Sequence, residues 1–435
     1  MKAKSSCERY RRFARRDFLR SAALTASALA LPAILPARVL GKDADVAPPS
    51  GRITLGAIGI GGMGTLDLTS LLGQSDVQVL AVCDVKEKNL QRAAEMVNRQ
   101  YQNQDCARYH DWRELMARSD LDAIYCATPD HWHAIISIAA AQAGKDIYCQ
   151  KPLGVTIAEG RAIADAVKRS GIVYQSGTQR RSQPNNRFCV ETARSGRIGK
   201  LLYIVNRMGD SPGPQSPKIT PAPPDIDYDM WLGPSPAQPY SEVRVSGAFR
   251  HISDYAGGSM TDMGAHYNDI AQMVRPSYLD APVTFQVKKA RFHEHGIFDT
   301  AWGYEVIATY EDGLEIRMLE GDKGMRWVGT EGWVDLADEG QITSHPASLL
   351  EDVKVNTHWS VVAGHHRNWL DCVKTRSRPV ADAEVAHRST TLSHAANIAM
   401  RLGRDLRWDR HAERFVNDDA ANNMIARAIR APWTL

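Results

Sequence analysis

From Ile53 to Ser176, short unbroken apolar runs alternate with amphipathic stretches, the pattern of strands buried on both faces and joined by crossover helices. The runs predict strands at Ile53–Ile58, Val77–Cys83, Ala123–Ala127, Asp146–Cys149 and Ile172–Ser176. The stretches between them predict helices at Leu66–Leu72, Lys86–Arg99, His133–Ala143 and Ile157–Arg169. This is the layout of a doubly wound parallel sheet. Beyond Gly199 the pattern changes to strand-like runs at Leu201–Asn206, Val283–Phe292, Tyr304–Tyr310, Leu314–Glu320 and Trp333–Leu336, which fits an open, mostly antiparallel sheet. Prolines and glycines crowd the stretch from Gly209 to Tyr240, which predicts a long ordered loop laid over a site or a subunit contact. There is no internal repeat and no low-complexity tract.

A chain of 435 residues is longer than the roughly 250–300 at which single cores stop growing, so at least two domains are expected. The boundaries read as a leader and linker at 1–50, an α/β Rossmann domain at 51–176, and an α+β domain for substrate and oligomer contacts at 177–435. The leader is predicted from Arg11, Arg12, Arg15 and Arg16, followed by an uncharged Ala- and Leu-rich run from Ser21 to Ala37, the layout of a secretory signal. Arg15-Arg16-Asp17-Phe18-Leu19-Arg20 resembles a twin-arginine motif, which exports proteins already folded and so with cofactor in place. The run is shorter than the ~20 residues that span a bilayer, so no stable membrane span is expected once the leader is cleaved, and the localisation expected is periplasmic or otherwise exported.

With 53 basic and 50 acidic residues, the net charge of +3 shows neither the excess nor the stripes of a nucleic-acid binder, so no nucleic-acid partner is expected. Cys7 lies in the leader, and the other six cysteines show no C-x-x-C spacing, which argues against a disulfide framework and a cysteine zinc site.

The sharpest chemical signal is Gly59-Ile60-Gly61-Gly62-Met63-Gly64, directly after the first strand run. Gly59 permits the tight turn, Gly61 lets the backbone approach a pyrophosphate, and Gly64 lets the following helix pack on the strand, its N-terminus presenting oriented N–H groups. Asp84, just past the second run, is placed to accept hydrogen bonds from the adenosine ribose and to repel a 2′-phosphate. NAD is therefore the expected cofactor, with Lys86 and Lys88 leaving some room for NADP.

Together with this fingerprint, Ala127-Thr128-Pro129 running to His133, Gln150-Lys151-Pro152, and Gly257-Gly258 with Asp262 and His266 give the chain a resemblance to the Gfo/Idh/MocA family (glucose–fructose oxidoreductase and inositol dehydrogenase) from about Gly51 onward. The resemblance implies a Rossmann domain, a second open sheet whose outer face packs in a homodimer or homotetramer, and a small-molecule sugar or glycoside bound between the domains. Lys151 matches the lysine of the family's Glu-Lys-Pro motif, with Gln150 standing where glutamate is usual. An ammonium there, at a strand's carboxyl end, stabilises developing alkoxide charge. Asp262 and His266, four residues apart and so on one face of a helix, match the family's acid/base pair, with His266 taking the hydroxyl proton. The resemblance also places Thr128, Pro129 and His133 beside the cofactor, and Gln179, Arg181 and Arg250 along the substrate cleft. Tyr228 and Trp231 are expected to stack on a sugar face or to pin the long loop. No metal is expected, since hydride transfer with such a base needs none.

Read as a whole, the chain is expected to be an NAD-dependent oxidoreductase of a sugar, glycoside or polyol hydroxyl with tightly held cofactor. Two other readings stand beside it: a redox-neutral glycoside hydrolase working through a transient keto-sugar, and a non-catalytic sugar-binding Rossmann protein. His365, His366, His131, His293 and His295 are weaker candidates, without an assigned role.

Overall fold

Six short strands, all paired in parallel, form the first sheet: β1 Ile53–Ile58, β2 Val77–Cys83, β3 Ala107–Tyr109, β4 Ala123–Cys126, β5 Asp146–Cys149 and β6 Tyr174–Ser176, in the order β3-β2-β1-β4-β5-β6. The computed structural model describes residues 47–275, 282–351 and 361–435, so the leader motif at Arg15–Arg20 lies outside the described residues. Five of the six strands match the apolar runs to within two residues at either end. β3 was not foreseen, because Ala-Arg-Tyr is too short and too polar to stand out.

The central strands β4 and β5 are buried at every position because both faces are covered, and they are apolar except at Asp146. Ile124, Cys126, Ile147 and Cys149 point to one core, and Ala123, Tyr125 and Tyr148 to the other. The second of these cores is closed by an element far along the chain: Trp369, Leu370, Cys372 and Val373 of the helix Val361–Thr375 pack into it. Nothing in the local pattern announces that partnership.

The second sheet has nine strands: β7 Leu201–Arg207, β8 Thr284–Arg291, β9 Gly303–Thr309, β10 Glu315–Leu319, β11 Gly324–Gly329, β12 Trp333–Ala337, β13 Ile342–His345, β14 Leu406–Asp409 and β15 Arg414–Phe415. Their order is β13-β12-β11-β7-β10-β9-β8-β14-β15. Only the β7–β10 pair is parallel, as expected of a mostly antiparallel sheet. β11, β13, β14 and β15 were not foreseen, since each is brief or flanked by glycine and charge. Alternate residues of β9, β10 and β7 are buried beneath Tyr267 and Ile270 of the helix Gly264–Gln272 and Leu392, Ala395 and Ala399 of the helix Ala383–Leu402. The opposite face carries half-exposed side chains such as Arg317, whose guanidinium lies 3.8 Å from the Tyr203 ring centroid.

Ile53–Leu435 is one compact unit that holds both sheets. Among the described residues no helix is long and apolar enough to cross a membrane.

Candidate functional site

β1 runs straight into the glycine turn. Gly59 has φ +81°, and a Cβ there would stand 2.6 Å from the Thr128 amide nitrogen. A Cβ on Gly64 would collide with the Gly59 carbonyl oxygen. These two positions therefore exclude any side chain, for reasons of conformation and close packing. At Gly61 and Gly62 a Cβ would meet nothing within 4 Å. The backbone faces open space there, and the helix Gly62–Leu72 begins without a side-chain cap, leaving its first N–H groups free for an anion.

Above this turn lies a crevice of about 470 Å³, lined by Gly61, Met63, Asp84, Thr128, Pro129 and Arg250 among others. Asp84 accepts hydrogen bonds from the amides of Ile60 (2.8 Å) and Lys86 (2.9 Å), so it holds the glycine turn while facing the crevice. Burial pushes its pKa up, opposed by these hydrogen bonds. An open backbone cradle, a free helix N-terminus and a carboxylate at the second strand's end fit a dinucleotide.

The proline- and glycine-rich stretch straps the crevice. Asp225 accepts the Glu87 amide and Asp227 donates its amide to Val85, each at 2.9 Å, and Met230 and Trp231 line the pocket. Trp231 is buried against His131 and Tyr255. Tyr228 stacks on Trp231 with ring centroids 6.1 Å apart and donates to the Pro239 carbonyl at 3.1 Å. The pair thus braces the loop at the dinucleotide crevice. The C-terminal tail reinforces the brace: Trp433 packs edge-on to Trp132 at 4.7 Å, and Arg430 Nε donates to the Gly233 carbonyl at 2.7 Å. Sequence reasoning left this tail unassigned.

His131 belongs to the same brace, its Nε2 lying 2.8 Å from the Trp231 carbonyl. Burial pushes its pKa down to about 3. The unfolded chain takes up this proton near pH 6.5 and the native one does not, so the stability contribution is complete above 6.5 and is lost as pH falls. On this residue's account the cost is about 1.4 kcal/mol per pH unit below 6.5. The difference in urea-unfolding free energy between pH 7 and pH 5 is expected to shrink by about 2 kcal/mol in His131→Gln.

The polar cluster sits at the carboxyl end of β5. Lys151, one residue past Gln150 and a fifth or less exposed, directs Nζ to the Asp262 carboxylate and, at 3.0 Å, to the Asp262 carbonyl. Arg250 Nε reaches the same Oδ1 at 3.1 Å. Arg250 also lines the dinucleotide crevice, so it links the cluster to that crevice. The Lys151 and Arg250 charges, with the Lys151 hydrogen bond, hold the Asp262 pKa well below the usual carboxylate range against the opposing effect of burial.

His266 is buried, with Nδ1 lacking any hydrogen-bond partner among the described residues. Burial first, then the charges of Lys151 and Arg180, push its pKa well below the ordinary histidine value, and Asp262 opposes them. The expected single helical face is corrected in detail. The helix Ser259–Asp262 ends and Gly264–Gln272 begins across a turn at Met263, so Asp262 closes one helix while His266 opens the next.

Other expectations are corrected. His133 does not line the crevice: its two ring nitrogens face the carbonyls of Pro152 (2.7 Å) and Thr128 (2.9 Å), tying the ends of β4 and β5 together. Arg181 is 3% exposed and forms a bidentate pair with Asp269 at 2.6 and 3.0 Å, and it is not among the residues lining the dinucleotide crevice. Its neighbour Arg180 is the one whose charge reaches His266, and it pairs with Asp338 at 2.5 Å. Gln179 begins the same short helical turn, with a buried Oε1 that has no partner among the described residues.

Asp130 was missed as well. It is buried beside Arg250, Lys151 and Asp262, and burial pushes its pKa up to about 7. Its signal in the sequence was an acid directly after Thr128-Pro129, at the carboxyl end of a central strand. Among the described residues no group of three or more His, Cys, Asp or Glu is arranged to hold a metal.

Comparison with known proteins gives a consistent result. A family model described as an oxidoreductase family with NAD-binding Rossmann fold matches residues 53–178, and the model of that family's C-terminal alpha/beta domain matches 211–435. Myo-inositol 2-dehydrogenase of Thermotoga maritima is 27% identical over 222 residues, 51% of this chain and 54% of the relative. Levoglucosan dehydrogenase of Pseudarthrobacter phenanthrenivorans is 38% identical over 111 residues, 24% of this chain and 28% of the relative. The chain thus spans about half the length of the first of these relatives and about a quarter of the second. Among solved structures, the WlbA dehydrogenase of Bordetella pertussis, in complex with NADH and UDP-GlcNAcA, superposes with a TM-score of 0.63 at 14% identity, covering 82% of this chain and 99% of that one.

Proposed function

The chain belongs to the Gfo/Idh/MocA oxidoreductase family, and on that premise we propose that it oxidises a hydroxyl of a sugar, glycoside or polyol with NAD held in the glycine-turn crevice. One observation carries the proposal: Arg250 both lines that crevice and shares the Asp262 carboxylate with Lys151, so one side chain joins the acid/base cluster to the cofactor site.

Gly59, Gly61, Gly62, Met63, Gly64, Asp84, Thr128 and Pro129 hold the dinucleotide, which when bound supplies the hydride acceptor. The Lys151 ammonium, oriented by Asp262, donates to the substrate oxygen and stabilises its developing charge. His266 is kept neutral by burial and by its cationic neighbours, so it presents a lone pair to the hydroxyl proton at neutral pH. The ionised Asp262 offsets the charge that His266 gains. Arg180, whose charge acts on His266, and Gln179 are assigned to the substrate side. Closure by the strap and the tail keeps the cofactor in place between turnovers.

The same proposal includes export through the twin-arginine-type leader, where free NAD is scarce and a retained cofactor is required. It also includes assembly as a homodimer or homotetramer through the outer face of the nine-stranded sheet. The sugar reading is supported by the polyol and anhydrosugar substrates in the relatives' names and by the sugar nucleotide held by the structural neighbour.

The test is native purification, denaturation and assay of the supernatant for NAD(H), followed by incubation with glycosides with and without an added electron acceptor. About one NAD(H) per chain and an accumulating keto-sugar are expected. Cofactor-free protein, or aglycone released without net redox change, overturns the dehydrogenase reading.

A further inference from the structure

Asp67 lies on the helix Gly62–Leu72 and is fully buried. Its Oδ2 accepts hydrogen bonds from Gln150 Nε2 (2.6 Å) and from the Tyr125 hydroxyl (2.8 Å). The other end of the same amide, Gln150 Oε1, accepts the Lys151 main-chain N–H at 3.3 Å. Gln150 is itself held against Gly177, where a Cβ would stand 2.5 Å from Oε1.

An amide has one donor end and one acceptor end. A carboxylate on its nitrogen side therefore leaves it a single orientation, with the oxygen turned to Lys151. We infer that Asp67 is a positioning residue for Lys151: it fixes the Gln150 amide, and through it the main chain that delivers the Lys151 ammonium to Asp262. The device couples the glycine-turn helix to the lysine, so the cofactor cradle and the group facing the substrate are set by one buried contact. This inference rests on the role proposed for Lys151.

Asp67 is faced by Tyr125 from β4, Tyr148 from β5, Gln150 beyond it, and His366 from the helix Val361–Thr375, whose Nε2 is 3.7 Å from Asp67 Oδ1. Burial pushes Asp67 up to about 6 and His366 down to about 3. Above neutrality Asp67 is therefore the charged member of the group and His366 is neutral.

The experiment compares Gln150→Glu, Asp67→Asn and the double variant with wild type between pH 5.5 and 8.5, measuring kcat, KM and melting temperature. Gln150→Glu sets two carboxylates against each other, and at pH 8 kcat is expected to fall about thirtyfold with KM within about threefold. At pH 5.5 the pair shares a proton and most of the loss is recovered. The double variant rebuilds the pair with its negative charge moved to position 150 and is expected to return kcat to within about threefold of wild type. Wild-type kcat in Gln150→Glu at pH 8, or a double variant as slow as Gln150→Glu, overturns the inference, as does a change confined to melting temperature. If Gln150→Glu does not fold, Asp67→Asn decides: loss of the kcat inflection near pH 6 supports the inference, and a profile superimposable on wild type refutes it.

Absence of turnover in the wild type sinks the proposed function instead. The inference is then read from acetic anhydride labelling of Lys151, followed by peptide mass spectrometry. The labelling rate is expected to change several-fold in Gln150→Glu and to return in the double variant, and an unchanged rate overturns it.

Discussion

Lys151→Met is expected to lower kcat by about a hundred- to a thousandfold, the scale of removing one preorganised donor from developing oxyanion charge, while the protein still retains its NAD(H). The methionine keeps the length and packing of the stem but removes the ammonium that reaches Asp262. KM for the sugar is expected to change far less than kcat, because the interaction strengthens as the alkoxide forms. A second consequence carries a definite sign. The Lys151 charge helps to hold His266 below its ordinary pKa, so its removal lets that pKa rise. The acid limb of the kcat/KM profile should accordingly move to higher pH in the variant. Steady-state kinetics across pH 5–9 check both effects. An unaltered kcat, or a loss confined to KM, removes Lys151 from the reaction.

Arg181→Met is expected to cost about 3–5 kcal/mol of stability, the size of breaking a buried ion pair from one side, with kcat per folded molecule unchanged. Arg181 and Asp269 are 3% and 1% exposed. Asp269 also accepts from Ser389 Oγ at 2.7 Å, so the variant leaves a buried carboxylate with one hydroxyl and no cation. The pair joins the turn after β6 to the helix Gly264–Gln272, which carries His266. Arg181→Met/Asp269→Leu, which removes both charges, is expected to recover most of the loss, because the larger part of the penalty is the orphaned charge. Urea unfolding at pH 7.5 measures the difference. A raised KM for the sugar at unchanged stability returns Arg181 to the substrate cleft.

The two arginines show where local reading stops. Arg180 and Arg181 are neighbours of the same type, and no pattern in Gln179-Arg180-Arg181 tells which one meets a buried carboxylate and which one reaches the histidine. That choice is made by Asp269, 88 positions away, on a helix whose approach depends on both sheets. His133 is similar. Its place at the start of a helix after Thr128-Pro129 was legible, but its two carbonyl partners include Pro152 on the neighbouring strand end. Tyr228 and Trp231 had two local meanings, sugar stacking and self-packing, and the packing of the strap with the tail against Trp132 is not visible in their local sequence. Asp130 carried a weak signal in its turn. Its raised pKa comes from burial that the sequence does not display.

What the amino-acid order determined by itself was whatever is encoded by nearest neighbours. The alternation of apolar runs and amphipathic stretches specified the parallel sheet, because a strand buried on both faces reads as a near-continuous apolar run. The spacing of Gly59, Gly61 and Gly64 specified the phosphate cradle, because Gly59 and Gly64 leave no room for a side chain and Gly61 leaves the backbone open to a ligand. The tertiary structure decided which polar groups meet. Lys151 and Asp262, Asp67 and Gln150, Arg181 and Asp269, and the helix Val361–Thr375 on the first sheet each join residues 80 or more positions apart. Such encounters depend on how the sheets and helices pack as a whole, and a hydrogen bond or a shifted proton equilibrium exists only once that packing has excluded water.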